Sequence, residues 1–106
     1  MSFAYLIIYE GRPEDPEAFL NYYIEKHVPL VRNFQKIRDI EIQHGVDGGD
    51  FFMITSLTFD TLDDLHTAIN SKERALARDD MDNFPPFKGR VRWQAVEIIE
   101  MQRGGN

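Results

Sequence analysis

Tyr23 and His27 lie four residues apart in the run FLNYYIEKHVPL, residues 19–30. An imidazole titrates near neutrality and serves as general acid or base. On an apolar helix face, burial would disfavour its charged form and hold it as a neutral base. Pro29 leaves a carbonyl of the preceding turn without its usual donor, a place for a water or a ligand hydrogen. The Tyr23 phenol, at i, i+4 from His27, can stabilise an enolate. Asp80, within Asp79-Asp80-Met81-Asp82, is the carboxylate that would orient His27. An acid at a helix C-terminus is mildly unfavourable, which hints at a task there. The predicted acid–base set is therefore His27, Tyr23 and Asp80. The structural alternative is a core histidine satisfied by a carbonyl or a tyrosine, with Asp80 in a solvated acidic cluster.

Tyr5, Ile24, Phe52, Phe84 and Trp93 are the expected wall of a mostly apolar pocket around this set. Tyr22, about 100° round the helix from Tyr23, falls at the edge of the buried face. His66, beside Asp63 and Asp64, reads as a surface residue, and His44 ends a strand beside a glycine turn. No HxH or HExxH spacing predicts a metal site, and no GxGxxG or phosphate loop predicts a nucleotide site. A haem iron needs only one histidine, such as His27 or His66, but one histidine per element is no signature. No cofactor is expected.

Composition narrows the classes further. The chain has 106 residues, no cysteine, 12 Lys and Arg against 18 Asp and Glu, and a formal charge of −6. One domain over residues 1–106 fits that length. Absence of cysteine excludes disulfides, thiolate zinc and a cysteine nucleophile. The acidic balance disfavours nucleic acid and anionic membranes as partners. No apolar run nears the roughly 20 residues that span a bilayer. Residues 3–9 lack a basic leader and cleavage site. The expectation is a soluble cytoplasmic protein.

The elements that must position these groups follow from periodicity. Phe3–Tyr9 predicts a strand, apolar on both faces and stopped by Gly11 and Pro13. Asp15-Pro16 predicts a helix start. Its apolar stripe is Phe19, Leu20, Tyr23, Ile24, His27, Leu30, Val31 and Phe34, with a kink at Pro29. Strands at 37–46 and 51–59 flank a glycine turn. Thr61 and Ser71 cap helices near 62–70 and 72–81, the second carrying Ala75, Leu76 and Phe84. A last strand covers 91–101, before a frayed tail at 103–106. The order β-α-β-β-α-β is the ferredoxin-like pattern, an α+β fold with a four-stranded antiparallel sheet and helices on one face. Tyr5, Ile7, Phe51, Phe52, Ile54, Trp93, Val96 and Ile98 spread over both faces, so the uncovered face predicts a homodimer closed sheet to sheet.

These residues resemble the EthD family of small dimeric α+β-barrel proteins. The likeness lies in Tyr9-x-Gly11, Phe19-x-x-Tyr22-Tyr23-x-x-x-His27-x-Pro29-Leu30, Leu57-x-Phe59 and Asp80-x-x-Asn83-Phe84. The His-x-Pro-Leu piece is the most specific. Two departures stand out: Asp82 where relatives often carry proline, and Pro85-Pro86 where they are more polar. The resemblance implies the dimeric barrel and, more loosely, a function. The founding member is linked to ethyl tert-butyl ether degradation, and wider relatives on the fold are cyclases, dehydratases, isomerases and cofactor-independent or haem-linked monooxygenases. The expectation is cofactor-free proton transfer on an apolar carbonyl compound, aromatic or polyketide-like, with His27 as base. The competing expectations are a non-catalytic carrier or accessory protein, and oxygen chemistry in the same pocket.

Overall fold

The computed structural model describes residues 1–101; the frayed tail expected at 103–106 lies outside them. Four strands, β1 (Ser2–Pro13), β2 (Asp39–His44), β3 (Phe51–Phe59) and β4 (Phe87–Ile98), form one sheet in the order β2-β3-β1-β4. Every pairing is antiparallel. The helical segments are α1 (Pro16–Tyr22), α2 (Val28–Val31), α3 (Leu62–Ile69) and α4 (Lys72–Asp80), with a 3₁₀ turn at Met81–Asn83. This is the ferredoxin-like α+β fold. Among the described residues no helix is long and apolar enough to cross a membrane.

Capping starts the helices where expected. Asp15, Thr61 and Ser71 each accept a backbone N–H three residues on, at 3.1, 3.0 and 3.1 Å. Pro16 takes the first helical position. The strands are less punctual. β1 does not stop at Gly11, because Gly11 and Gly89 face each other across β1 and β4 with φ of 125° and 147°. A Cβ on Gly89 would stand 2.0 Å from the Glu10 carbonyl oxygen, so only glycine lets the two backbones approach and the ladder continue.

Alternation assigns the faces. Tyr5, Ile7 and Tyr9 of β1, Leu57 and Thr55 of β3, and Trp93 and Val91 of β4 lie toward the helices. There they build the core with Phe19, Tyr23, Val31 and Leu65. The opposite face carries Ala4, Leu6, Ile8, Ile54 and Val96 at its centre, with Glu41, Gln43, Arg92 and Gln94 to either side. Its apolar part is therefore a central strip rather than a whole face. Tyr5, Ile7 and Trp93 belong to the helix side. The buried stripe of α4 also differs from expectation. Ala77 is buried, whereas Leu76 is 59% exposed and Ala75 is exposed. The segment KERALARDD is so charged that its apolar period is ambiguous, and the small side chain at 77 takes the close approach.

Candidate functional site

Between α1 and α2 the helix widens into a single π turn, Tyr23–His27, where the Val28 N–H bonds to the Tyr23 carbonyl. Sequence reasoning located the irregularity at Pro29, as a kink. The widened turn instead precedes the proline, which then sits at the start of α2. In an ideal α-helix, residues five apart diverge by about 140°. In π register they come onto one side. Tyr22 and His27 thereby reach the same carboxylate.

That carboxylate is Asp80, at the end of α4. Its Oδ2 lies 3.0 Å from His27 Nδ1, and its Oδ1 accepts from the Tyr22 hydroxyl at 2.7 Å and from Asn83 Nδ2 at 3.1 Å. His27 is 4% exposed. Desolvation holds its pKa below the ordinary histidine value, although the bond to Asp80 and its charge pull the other way. Burial pushes Asp80 up, but bonds from His27, Asn83 and Tyr22 outweigh it and leave the carboxyl below its ordinary range. Near neutrality the pair is a neutral imidazole and an ionised carboxylate. An ionised carboxylate only accepts, so the imidazole proton resides on Nδ1 and the lone pair on Nε2. Nε2 has no protein partner among the described residues. It is the basic atom of the site.

His27 lines a cavity between α4 and the sheet. The other walls are Tyr5, Ile7, Tyr9, Val31, Phe34, Leu57, Arg74, Ala77, Arg78, Met81 and Trp93. The cavity is open at its mouth, and its free interior is small, about 20 Å³. It is thus a narrow, largely apolar slot. Phe84 stands edge-on to the His27 ring, centroids 4.7 Å apart, and fixes its plane from outside the slot.

The expected site residues separate into three sets. His27 and Asp80 come together, and Tyr5 and Trp93 stand in the cavity wall. Tyr23 packs on the His27 ring, centroids 5.0 Å apart, but its hydroxyl pairs with Thr55 Oγ1 at 2.7 Å rather than with His27. Ile24 is 53% exposed and takes no part in the wall, because the π turn rotates it off the stripe. Phe52 is buried against Phe19, Phe87 and His44, also away from the cavity. Three contributors were missed: Tyr22 on Asp80, and Arg74 and Arg78 in the wall. The Tyr9 hydroxyl is fully buried, its ring edge-on to that of Tyr23 with centroids 5.5 Å apart. The proline after the histidine was the one available signal for Tyr22, since it disturbs α-helical spacing there. Among the described residues no three His, Cys, Asp or Glu side chains gather as a metal site.

Similarity to known proteins agrees with this architecture. An EthD family protein from Bacillus halodurans superposes with a TM-score of 0.80 at 23% identity, over 93% of this chain and all of that one. A dimeric protein of unknown function and ferredoxin-like fold from Bacteroides fragilis gives 0.66 at 18% identity, over 92% and 96%. SnoaB, a cofactor-independent oxygenase from Streptomyces nogalater, gives 0.69 at 5% identity, over 94% and 95%. At such identities the likeness is one of fold. No curated protein matches the chain. The EthD domain profile matches residues 12–85, a span that takes in Tyr22, His27, Asp80 and Asn83, and the chain belongs to the EthD family.

Proposed function

We propose that this protein binds a small, mostly apolar carbonyl compound in the slot beneath α4 and moves a proton on it. His27 Nε2 is the base. The observation that carries this reading is the arrangement Tyr22–Asp80–His27, which fixes the imidazole tautomer with its lone pair unpartnered beside an apolar cavity. Nε2 removes a proton from the carbon next to the carbonyl, and the electrons of the broken C–H bond pass into an enolate. The proton returns from the imidazolium to carbon or oxygen, which gives isomerisation, or serves ring closure or loss of water. The Asp80 carboxylate stabilises the imidazolium in the interval. Such chemistry needs no cofactor.

The assembly we propose is a homodimer through the open sheet face. The strip of Ala4, Leu6, Ile8, Ile54 and Val96 supports it.

The enzyme and the carrier differ in one measurement. Incubation of 1-indanone and α-tetralone with the protein in D₂O, followed by proton NMR, reads exchange at the carbon beside the carbonyl. Acceleration that disappears in His27→Gln supports proton transfer. Saturable binding without acceleration would make the protein a carrier.

A further inference from the structure

The same cavity holds two positive charges that the proton-transfer chemistry does not use. Arg74 and Arg78 stand one turn apart on α4, and both line the slot. Acids outnumber basic residues 18 to 12 in this chain, yet neither arginine has a carboxylate within 4 Å among the described residues. The arginines that do pair are elsewhere: Arg38 with Asp60, and Arg90 and Arg92 with Glu10. Arg74 is instead held by neutral acceptors. Its Nη2 donates to the Tyr5 hydroxyl at 3.2 Å and its Nη1 to the Ile69 carbonyl at 3.3 Å. Arg78 lies over the Trp93 ring, 4.6 Å from its centroid.

Each of these contacts orients a guanidinium without neutralising it. A guanidinium carries five N–H donors, and those named engage two from Arg74 and none from Arg78. Tyr5 accepts from Arg74, so its own O–H hydrogen remains to be given away. One wall of the slot therefore presents two planar cations and a phenol. The same cavity holds the Nε2 lone pair of His27. Trp93 and Ile7 lie between strands and helix as an apolar floor.

We propose that the ligand of this cavity is an aromatic carboxylate. Arg74 and Arg78 clamp its carboxylate, and Tyr5 donates a third hydrogen bond. Its ring enters at the open mouth beside Trp93, where side chains part to admit it, with the reacting carbon toward His27. Planar, forked recognition of a carboxylate is the chemistry that arginine performs and lysine does not. This inference rests on the slot being the ligand site, and the test separates the two claims.

The experiment titrates the ¹⁵N-labelled full chain with benzoate and with benzamide, its neutral near-isostere, and follows amide, indole and imidazole signals. Benzoate should bind at least tenfold more tightly than benzamide and should shift the Trp93 indole and His27 imidazole. Arg78→Gln should reduce that preference severalfold, and Arg74→Gln with Arg78→Gln should abolish it. Arg74→Lys should recover only part of it. Arg78 is exposed and donates no side-chain hydrogen bond to a described residue, so its variant alone remains informative if loss of the Arg74 contacts disturbs folding. Equal affinity for the two probes, with shifts at the cavity, would overturn the anion clamp and leave the slot as the ligand site. A benzoate preference that survives replacement of both arginines would overturn their assignment. Benzoate shifts that avoid the cavity, or no binding of either probe, would overturn both claims.

Discussion

Replacement of Asp80 by asparagine should turn the His27 ring from a base into a donor. In the parent, Oδ2 accepts from Nδ1 while Oδ1 serves the Tyr22 hydroxyl and the Asn83 amide. Asparagine can keep its oxygen for those two donors. Its NH₂ group then faces Nδ1, which must become the acceptor, so the imidazole proton moves to Nε2. The lone pair leaves the cavity. The charge disappears as well. An opposite charge this close raises a histidine pKa by about one to three pH units. Asp80 keeps 12% of its side chain exposed, so water already screens part of the effect. The carboxylate still favours the charged imidazole in the parent, and its loss lowers the His27 midpoint further. Long-range ¹H–¹⁵N correlation across a pH series reads both quantities, with His27→Gln used to assign the signal apart from His44 and His66. The parent should show Nδ1 protonated in the neutral form. The variant should show Nε2 protonated and a lower midpoint than the parent, with an unchanged far-ultraviolet spectrum. A variant that retains Nδ1–H and the parental midpoint would refute the claim that Asp80 sets the tautomer.

Three further outcomes follow from the same geometry. The folded His27 pKa is depressed, so below about pH 6.5 the unfolded chain binds a proton that the folded chain does not. Stability should fall from there until the lower folded value is reached, and His27→Gln should flatten that slope between pH 5 and 6.5 in urea titrations. The Asp80 contribution has the same sense, because its folded pKa is also depressed, and it should be lost only below about pH 3.8. Gly89→Ala should destabilise by about 3 kcal/mol or more, since its Cβ meets the Glu10 carbonyl at 2.0 Å with φ in a region that disfavours side chains. Thermal melts check this, and a shift of only a degree or two would mean that the β1–β4 crossing tolerates a methyl group. Light scattering at micromolar concentration should give about 25 kDa, twice the 12.4 kDa chain, and a monomer would remove the sheet-to-sheet assembly.

Much of this arrangement is legible in the residues themselves. The caps at Asp15, Thr61 and Ser71 and the apolar runs between them give the β-α-β-β-α-β order, because both signals are local. His27 could be assigned to the buried face for the same reason: the stripe from Phe19 to His27 has one helical period. The pairing of His27 with Asp80 was reached from residue chemistry and resemblance. Periodicity carries no information about which elements meet. What escaped depends on registers that one sequence does not display. The π turn shifts phase by a fraction of a residue, which exposes Ile24 and brings Tyr22 to Asp80. Gly11 reads as a strand stop until Gly89 is known to face it. Arg74 and Arg78 lie in a run of charges that looks solvated from end to end, and only the packing of α4 over the sheet turns them toward Tyr5 and Trp93.

The most direct test of His27 as a neutral base is the pH dependence of deuterium exchange into 1-indanone. After subtraction of the buffer rate, exchange by the parent should rise with pH through a midpoint below 6.5 and level off by neutrality, since only the neutral imidazole removes a proton. His27→Gln should be flat at the buffer rate, and Asp80→Asn should lose most of the acceleration. An exchange rate that falls as pH rises through 7, or one that His27→Gln leaves unchanged, would contradict a proton transfer through Nε2.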